Sequence, residues 1–499
     1  MMPAKAVMIQ GTSSDVGKSM LATALCRHFS NAGYRVAPFK SQNMALNSYV
    51  TKNGGEIGRA QGVQAEAARV EATTDMNPIL LKPKQDAMSE IIVHGKHHMD
   101  MSATEYRNSF VDEALPIAEK AVQRLKEQYD VIVLEGAGSP AEINLKSRDI
   151  ANMKMAHAAD AAVLLVADID RGGVFASIVG TLALLDDEER ARVQGIIINK
   201  FRGMRELLDD GITWLEQYTN IPVLGVVPYM DVHIEAEDSL ALSALRFKRP
   251  KENEFDIDVA VIQLPRISNF TDIDPLMDEP GVGVRFVKTL ADLRDPDVII
   301  IPGTKNTVED LNWLRAQHFD EIIQQSDAAI IGICGGYQML GIALHDPDFV
   351  EGTQMYTEGL GLLPIETTFV GNKRTVQNSG TLYGTNQQLT GYEIHLGRTK
   401  RIRDCAPFLL LEDGRTDGAV VNRTIGTYFH GIFHNRTFTR QLVNEWRSYK
   451  GLAPLSEEVQ SEKMLREQAY NIAAQQFEKA IDMDKLYKIL DLESTTYVK

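Results

Sequence analysis

An apolar run, Ala6-Val7-Met8-Ile9, delivers the chain into Gly11-Thr12-Ser13-Ser14-Asp15-Val16-Gly17-Lys18-Ser19. A strand, a glycine loop and a Lys-Ser pair opening a helix leave few options other than an α/β fold that cradles a triphosphate. In such a loop the glycines let backbone N–H groups converge on phosphate oxygens, Lys18 neutralises β/γ charge, and Ser19 can ligate Mg²⁺. The spacing is a variant: the position usually held by the first glycine is Thr12, and Gly11 stands one step earlier. Gly11, Thr12, Asp15, Gly17, Lys18 and Ser19 are therefore the candidate contacts to a nucleoside triphosphate, ATP or GTP. Glu135 ends the apolar run Val131-Ile132-Val133-Leu134 and leads into Gly136-Ala137-Gly138. A carboxylate at the carboxyl end of a parallel strand is well placed to join Ser19 at the metal.

Similar apolar runs recur at Ala6–Gln10, Arg35–Phe39, Val131–Leu134, Ala161–Ala167, Gly195–Asn199 and Val223–Val227, separated by longer amphipathic stretches. Continuous rather than alternating, they predict a doubly wound parallel sheet with helices on both faces. A charged, proline-containing stretch near Leu245–Phe255 reads as a linker. A second series appears in Val259–Ile262, Val298–Ile301 and Ala329–Ile333, so the expected division is 1–248 and 249–499, each an α/β domain. From Ser456 the tail reads as helical, with Ala469, Ile472, Ala473, Phe477, Ala480 and Ile481 on one packing face.

The second half carries a nucleophile. Ile330-Ile331-Gly332-Ile333 runs into Cys334-Gly335-Gly336-Tyr337-Gln338, a buried strand ending on a sharp, glycine-flanked turn. Such an elbow exposes sulfur and aims the following N–H groups at an oxyanion. A free thiol ionises near pH about 8.5, so it needs a partner. His430, at the end of the apolar run Thr427-Tyr428-Phe429, is the best-placed base. Gly335, and Gly303 in the loop Pro302-Gly303-Thr304-Lys305-Asn306, are candidate oxyanion donors.

A formal charge of −16 argues against a nucleic-acid surface, and three cysteines, Cys26, Cys334 and Cys405, build no disulfide framework. No apolar stretch approaches the roughly 20 residues that span a bilayer. With the first strand so close to Met1, a cytoplasmic protein acting on small molecules is expected. The oligomeric state is not legible.

The loop resembles that of dethiobiotin synthetase, which has the same GT-x-x-x-VGK-[ST] form, and the strand-EGAG segment around Glu135 extends the likeness. That family phosphorylates a carboxylate and lets an amine attack the acyl phosphate; it also implies that Asn199, in Ile198-Asn199-Lys200, reads the base. Partition and septum-site ATPases share a related loop yet act as switches, which leaves a switch as an alternative. Val259–His434 resembles the class I, triad-type glutamine amidotransferases. The resemblance implies that Cys334 attacks the glutamine amide with His430 as partner, releasing ammonia. That family has a Glu two residues after the His; here the position is Ile432, and Glu393, in Gly391-Tyr392-Glu393-Ile394-His395, is the candidate third member.

Together the halves resemble the cobyric acid synthase family of fused, ATP-dependent amidotransferases. The likeness is carried by Phe39–Ser48, Glu56–Gln61, Met76–Pro83, Asp168–Phe175 and Asn199–Gly203, with Lys40-Ser41-Gln42-Asn43-Met44 separating it from the sister a,c-diamide synthases. It implies amidation of the b, d, e and g carboxylates of adenosylcobyrinic acid a,c-diamide, using glutamine, ATP and Mg²⁺. The same chemistry on the a,c positions or on a cell-wall precursor is the alternative. Gln42, Asn43, Asn47, Arg148 and Arg171 are candidate contacts to a substrate rich in carboxylates.

Overall fold

The structure, a computed structural model, describes residues 4–85, 88–232, 234–235 and 255–493. Most of the stretch expected to act as linker lies outside these residues. Two compact units form. The first comprises Met1–Ala45, Gly55–Glu235 and Leu465–Lys499, and the second comprises Leu46–Gly54 and Ala236–Met464.

In the first unit a six-stranded parallel sheet runs in the order Val223–Pro228, Val193–Phe201, Ala162–Asp168, Lys5–Gly11, Val131–Glu135, Val36–Phe39. Each strand is one of the expected apolar runs, with its ends shifted by a residue or two. Their residues are buried on both faces because helices such as Lys18–Asn31 cover the sheet. The nucleotide strand Lys5–Gly11 lies between Ala162–Asp168 and Val131–Glu135, so the loop after it opens at the centre of the sheet. A smaller sheet joins Gln42–Met44, Ile79–Gln85, Met88–Val93 and Lys96–Ser102.

The second unit has its own six-stranded sheet, ordered Val282–Val287, Ile257–Ile262, Val298–Ile301, Ala329–Ile333, Thr424–Thr427, Ala419–Val421, parallel except for the last pair. A long antiparallel hairpin, Ile365–Leu382 with Gln388–Arg401, belongs to a further sheet, and its register breaks between Phe369 and Arg374. The cysteine strand Ala329–Ile333 sits between Val298–Ile301 and Thr424–Thr427.

Two segments depart from a division at 248. Leu465–Lys499 belongs to the first unit, because Ala473, Phe477, Ile481 and Tyr487 are buried in the same cluster as Phe29 and Leu25. The helix Glu462–Ala480 does turn a packing face inward, although Ile472, expected on it, is 45% exposed. Leu46–Gly54 belongs to the second unit, where Gln377 donates to the Val50 carbonyl at 2.7 Å.

Candidate functional site

In the first unit the nucleotide loop is shaped by two left-handed residues, Asp15 at φ 59° and Gly17 at φ 95°. A side chain at Gly17 would strike the amide of Asn199, so glycine is required there for space as well as conformation. Lys18 is buried, its Nζ donating to the carbonyls of Ser13 and Gly138 at 3.0 Å each. These contacts hold the ammonium over the loop.

Glu135 ends its strand in full burial. Its Oε1 accepts from Ser19 Oγ at 2.8 Å and Lys40 Nζ at 3.1 Å, and its Oε2 accepts from Gln64 Nε2 at 2.6 Å. A buried carboxylate needs such compensation. Ser19 and Glu135, hard oxygen donors side by side, suit Mg²⁺ chemically. Lys40 and Gln64 escape a reading of the sequence as site residues; their signal is burial of long polar side chains on a common acceptor, which one sequence does not display. Asp168 escapes it likewise. At the carboxyl end of the neighbouring strand, it accepts from Lys200 Nζ at 2.9 Å.

The base-reading candidate Asn199 donates from Nδ2 to the Val16 carbonyl at 2.8 Å, so it braces the loop while keeping Oδ1 and its second amide hydrogen for a base. The substrate candidates separate. Arg148 and Arg171 are exposed, and Gln42 is half-buried, accepting from the Tyr106 hydroxyl. Asn43 is buried and donates to Gln61 Oε1 at 3.0 Å. Asn47 is buried within the second unit. Neither asparagine is free to receive a corrinoid.

In the second unit Cys334 adopts φ 53° and ψ −106°, a conformation that L residues avoid and that marks a strained nucleophile elbow. The fold holds it there. Its N–H donates to the Thr427 carbonyl at 2.8 Å, and Sγ lies 3.3 Å from the Ile394 carbonyl. Gly336 has no room for a Cβ, which would collide with the Ile301 carbonyl; at Gly335 one would approach Thr304 Cγ2 to 2.6 Å. Of the other cysteines, Cys26 has its thiol pushed up first by burial and then by Glu135, and Cys405 is also raised, chiefly by burial. Neither is a nucleophile candidate.

His430 is fully buried. Its ring stacks on Tyr392, 4.9 Å between centroids at 10°, and the two residues exchange backbone hydrogen bonds. Nδ1 lies 2.6 Å from Asp272 Oδ2, while Asp272 Oδ1 accepts the Gly431 N–H at 3.0 Å. Nε2 is buried and makes no hydrogen bond among the described residues. Burial alone would lower the ring's pKa; the Asp272 carboxylate outweighs it, the Cys334 sulfur adds to the upward push, and the result is about 10. The ring is thus an imidazolium at neutral pH, the cation that a thiolate nucleophile needs beside it. Gly303 reaches this site: a Cβ there would lie 3.1 Å from His430 Cε1. Gly335 follows Cys334 directly.

The carboxylate beside His430 is therefore Asp272, and Glu393 does not occupy the place expected of it. Glu393 is buried in a cationic nest, accepting from Arg374 at 2.8 Å, Arg415 at 2.9 Å and Asn378 at 2.8 Å, with His395 Nε2 at 3.4 Å. Burial raises its pKa, but the bonds from His395 and the arginines win and hold it well below the carboxylate range. Its work is to fix the hairpin that presents Tyr392 and Ile394. Glu393→Gln, which strips charge from this nest, is expected to cost about 3 kcal/mol of stability, read from denaturant midpoints. Because the depressed pKa belongs to the folded state, that contribution is present at neutral pH and fades on acidification.

Comparison with known proteins matches both parts of the chain. Residues 258–438 match the CobB/CobQ-like glutamine amidotransferase domain, and residues 7–241 match the CobQ/CobB/MinD/ParA nucleotide binding domain. The cobyric acid synthase of Geobacillus sp. (strain WCH70) is 51% identical over 489 residues, covering 96% of each chain. That of Anoxybacillus flavithermus (strain DSM 21510 / WK1) is 52% identical over 485 residues, covering 96% of this chain and 95% of its own. A solved glutamine amidotransferase overlaps 39% of this chain and 99% of its own at 14% identity and a TM-score of 0.30, too slight to carry an argument. Among the described residues, no helix is long and apolar enough to cross a membrane.

Proposed function

Since the chain belongs to the cobyric acid synthase family, and so is a glutamine-dependent amidotransferase that makes cobyric acid by amidation, we propose that it converts the b, d, e and g carboxylates of adenosylcobyrinic acid a,c-diamide into carboxamides through acyl phosphates. The observation that carries this reading is the presence in one polypeptide of a Lys18–Ser19–Glu135 phosphate site and a Cys334–His430–Asp272 thiol site. One suits carboxylate activation; the other suits release of ammonia.

A carboxylate is a poor electrophile until phosphoryl transfer equips it with a leaving group. In this reading ATP lies along the loop after Gly11, with Lys18 turned from the Ser13 and Gly138 carbonyls onto phosphate oxygens. Ser19 and Glu135 would hold Mg²⁺, which offsets phosphate charge when bound. Arg148, Arg171 and Gln42 remain the corrinoid contacts. Cys334 attacks the glutamine amide, the backbone around Gly335 and Gly303 receives the oxyanion, and His430 hands its proton to the departing ammonia. Water then clears the thioester as glutamate. Ammonia displaces phosphate from the activated carboxylate.

The test incubates the chain with ATP, glutamine and a panel of corrinoid acids, and counts carboxylate-to-carboxamide conversions by mass spectrometry. Conversion only of a,c-diamide substrate, stopping when b, d, e and g are filled, supports the reading; conversion of the a and c positions, or of no corrinoid, sinks it. Lys18→Ala is expected to lower amidation about 100-fold with glutamine or ammonia alike, while glutamate release without corrinoid persists. Loss of both activities together would count against separate roles.

A further inference from the structure

The turn that carries Asp272 is held from far away in the sequence. Asn269, left-handed at φ 52°, stands at the cap position of the 3₁₀ turn Phe270–Ile273, yet its side chain does not cap that turn. Its Oδ1 instead accepts the Ser48 N–H at 2.9 Å. The vacant role is filled by Asn47, whose Oδ1 accepts the Phe270 N–H at 3.2 Å. The two asparagines thus form a reciprocal clamp, each carbonyl oxygen taking the backbone N–H beside the other. All of its parts are buried: Asn47 is 1% exposed, Ser48 0%, Asn269 4% and Phe270 1%. The first N–H groups of any helical turn need outside acceptors, and a buried one has no water to fall back on.

From this geometry we propose that Asn47 and Asn269 are positioning residues of the glutaminase, fixing the turn from which Asp272 orients His430. The inference rests on the glutaminase reading of the second unit. It also gives the Phe39–Ser48 segment a divided task. Lys40 pairs with Glu135 in the first unit, whereas Asn47, a few residues on, serves the thiol site of the second. Neither asparagine touches the reacting atoms. Their effect is to keep Asp272 Oδ2 at hydrogen-bond distance from Nδ1, and small displacements there are amplified because proton transfer is steep in distance.

The experiment uses the full chain with Asn47→Leu, which deletes the acceptor, and Asn47→Asp, which keeps one. Three quantities are read: glutaminase kcat and KM, the pH profile of Cys334 alkylation by iodoacetamide, and ammonia-driven amidation. Asn47→Leu is expected to lower glutaminase kcat on the order of 100-fold, and to move the alkylation profile in the same direction as Asp272→Asn does. Ammonia-driven amidation stays near the wild-type level, and Asn47→Asp recovers most of the glutaminase. An Asn47→Leu protein with wild-type kcat and profile overturns the inference, as does parallel loss of glutamine- and ammonia-driven activity, the result of a corrinoid-binding or general structural role. Should Asn47→Leu not fold, Asn269→Gly decides by the same readouts, since glycine keeps the left-handed backbone and drops the side-chain bond. If the wild-type chain releases no glutamate from glutamine, the glutaminase reading itself fails and the inference with it.

Discussion

Glutamine-driven amidation is expected to fall on the order of 10⁴-fold or more in Cys334→Ala, while amidation fed by ammonium salt continues near the wild-type rate. Sγ is the atom at the elbow able to attack the amide carbon, and neither Cys26 nor Cys405 has a thiol suited to replace it. Alanine preserves the Cβ and the backbone bond to Thr427, so the strained turn survives the change. Ammonia supplied from solution bypasses the thiol and leaves the phosphate site its full task. Measuring glutamate release beside amide product separates the two halves; glutamate still released at wild-type rate would remove Cys334 from the mechanism.

Asp272→Asn should lower glutaminase kcat by roughly 10³- to 10⁴-fold, the range expected when the carboxylate behind a catalytic imidazole loses its charge. The amide still offers an oxygen to the Gly431 N–H, so the turn keeps its shape. The ring is the part that changes. Without the carboxylate the burial effect prevails, and the pKa of His430 drops from about 10 toward or below its ordinary value. This fixes the sign of the accompanying stability change. A raised pKa in the folded state stabilises most below the unfolded value of about 6.5 and ceases to do so as pH climbs through about 10. Wild type should therefore exceed Asp272→Asn in denaturant midpoint at neutral pH, with the gap closing toward pH 10. A constant gap across that interval would mean that the pair is not charged as described.

The sheets are readable because continuous apolar runs such as Val131–Leu134 have one comfortable fate, burial on both faces. The turns that carry Cys334 and Lys18 are readable because glycines crowd around them for reasons of space that leave a mark in the sequence. The partner of His430 is not. Asp272 stands 158 residues upstream, in a turn reached from the strand Ile257–Ile262, and only folding brings that turn against His430 and Gly431. A search near the histidine finds Glu393 instead, an acid whose charge is already taken by Arg374 and Arg415. Asn43 and Asn47 illustrate a related limit: residue type alone makes such amides candidate substrate contacts, whereas in the fold they satisfy buried neighbours. The tail helix is recognisable but its host is not, since an apolar face does not say which core it enters.

The polypeptide changes unit between Ala45 and Leu46, Gly54 and Gly55, Glu235 and Ala236, and Met464 and Leu465. Scission near residue 248, where the composition invites a boundary, would not release two self-sufficient pieces. The leading fragment would lack Phe477 and Tyr487 from its interior, and the trailing one would carry them as an uncovered greasy appendage. Anyone wishing to excise a stand-alone ammonia generator from this chain would have to graft residues 46–54 onto 255–464 and discard the helical tail.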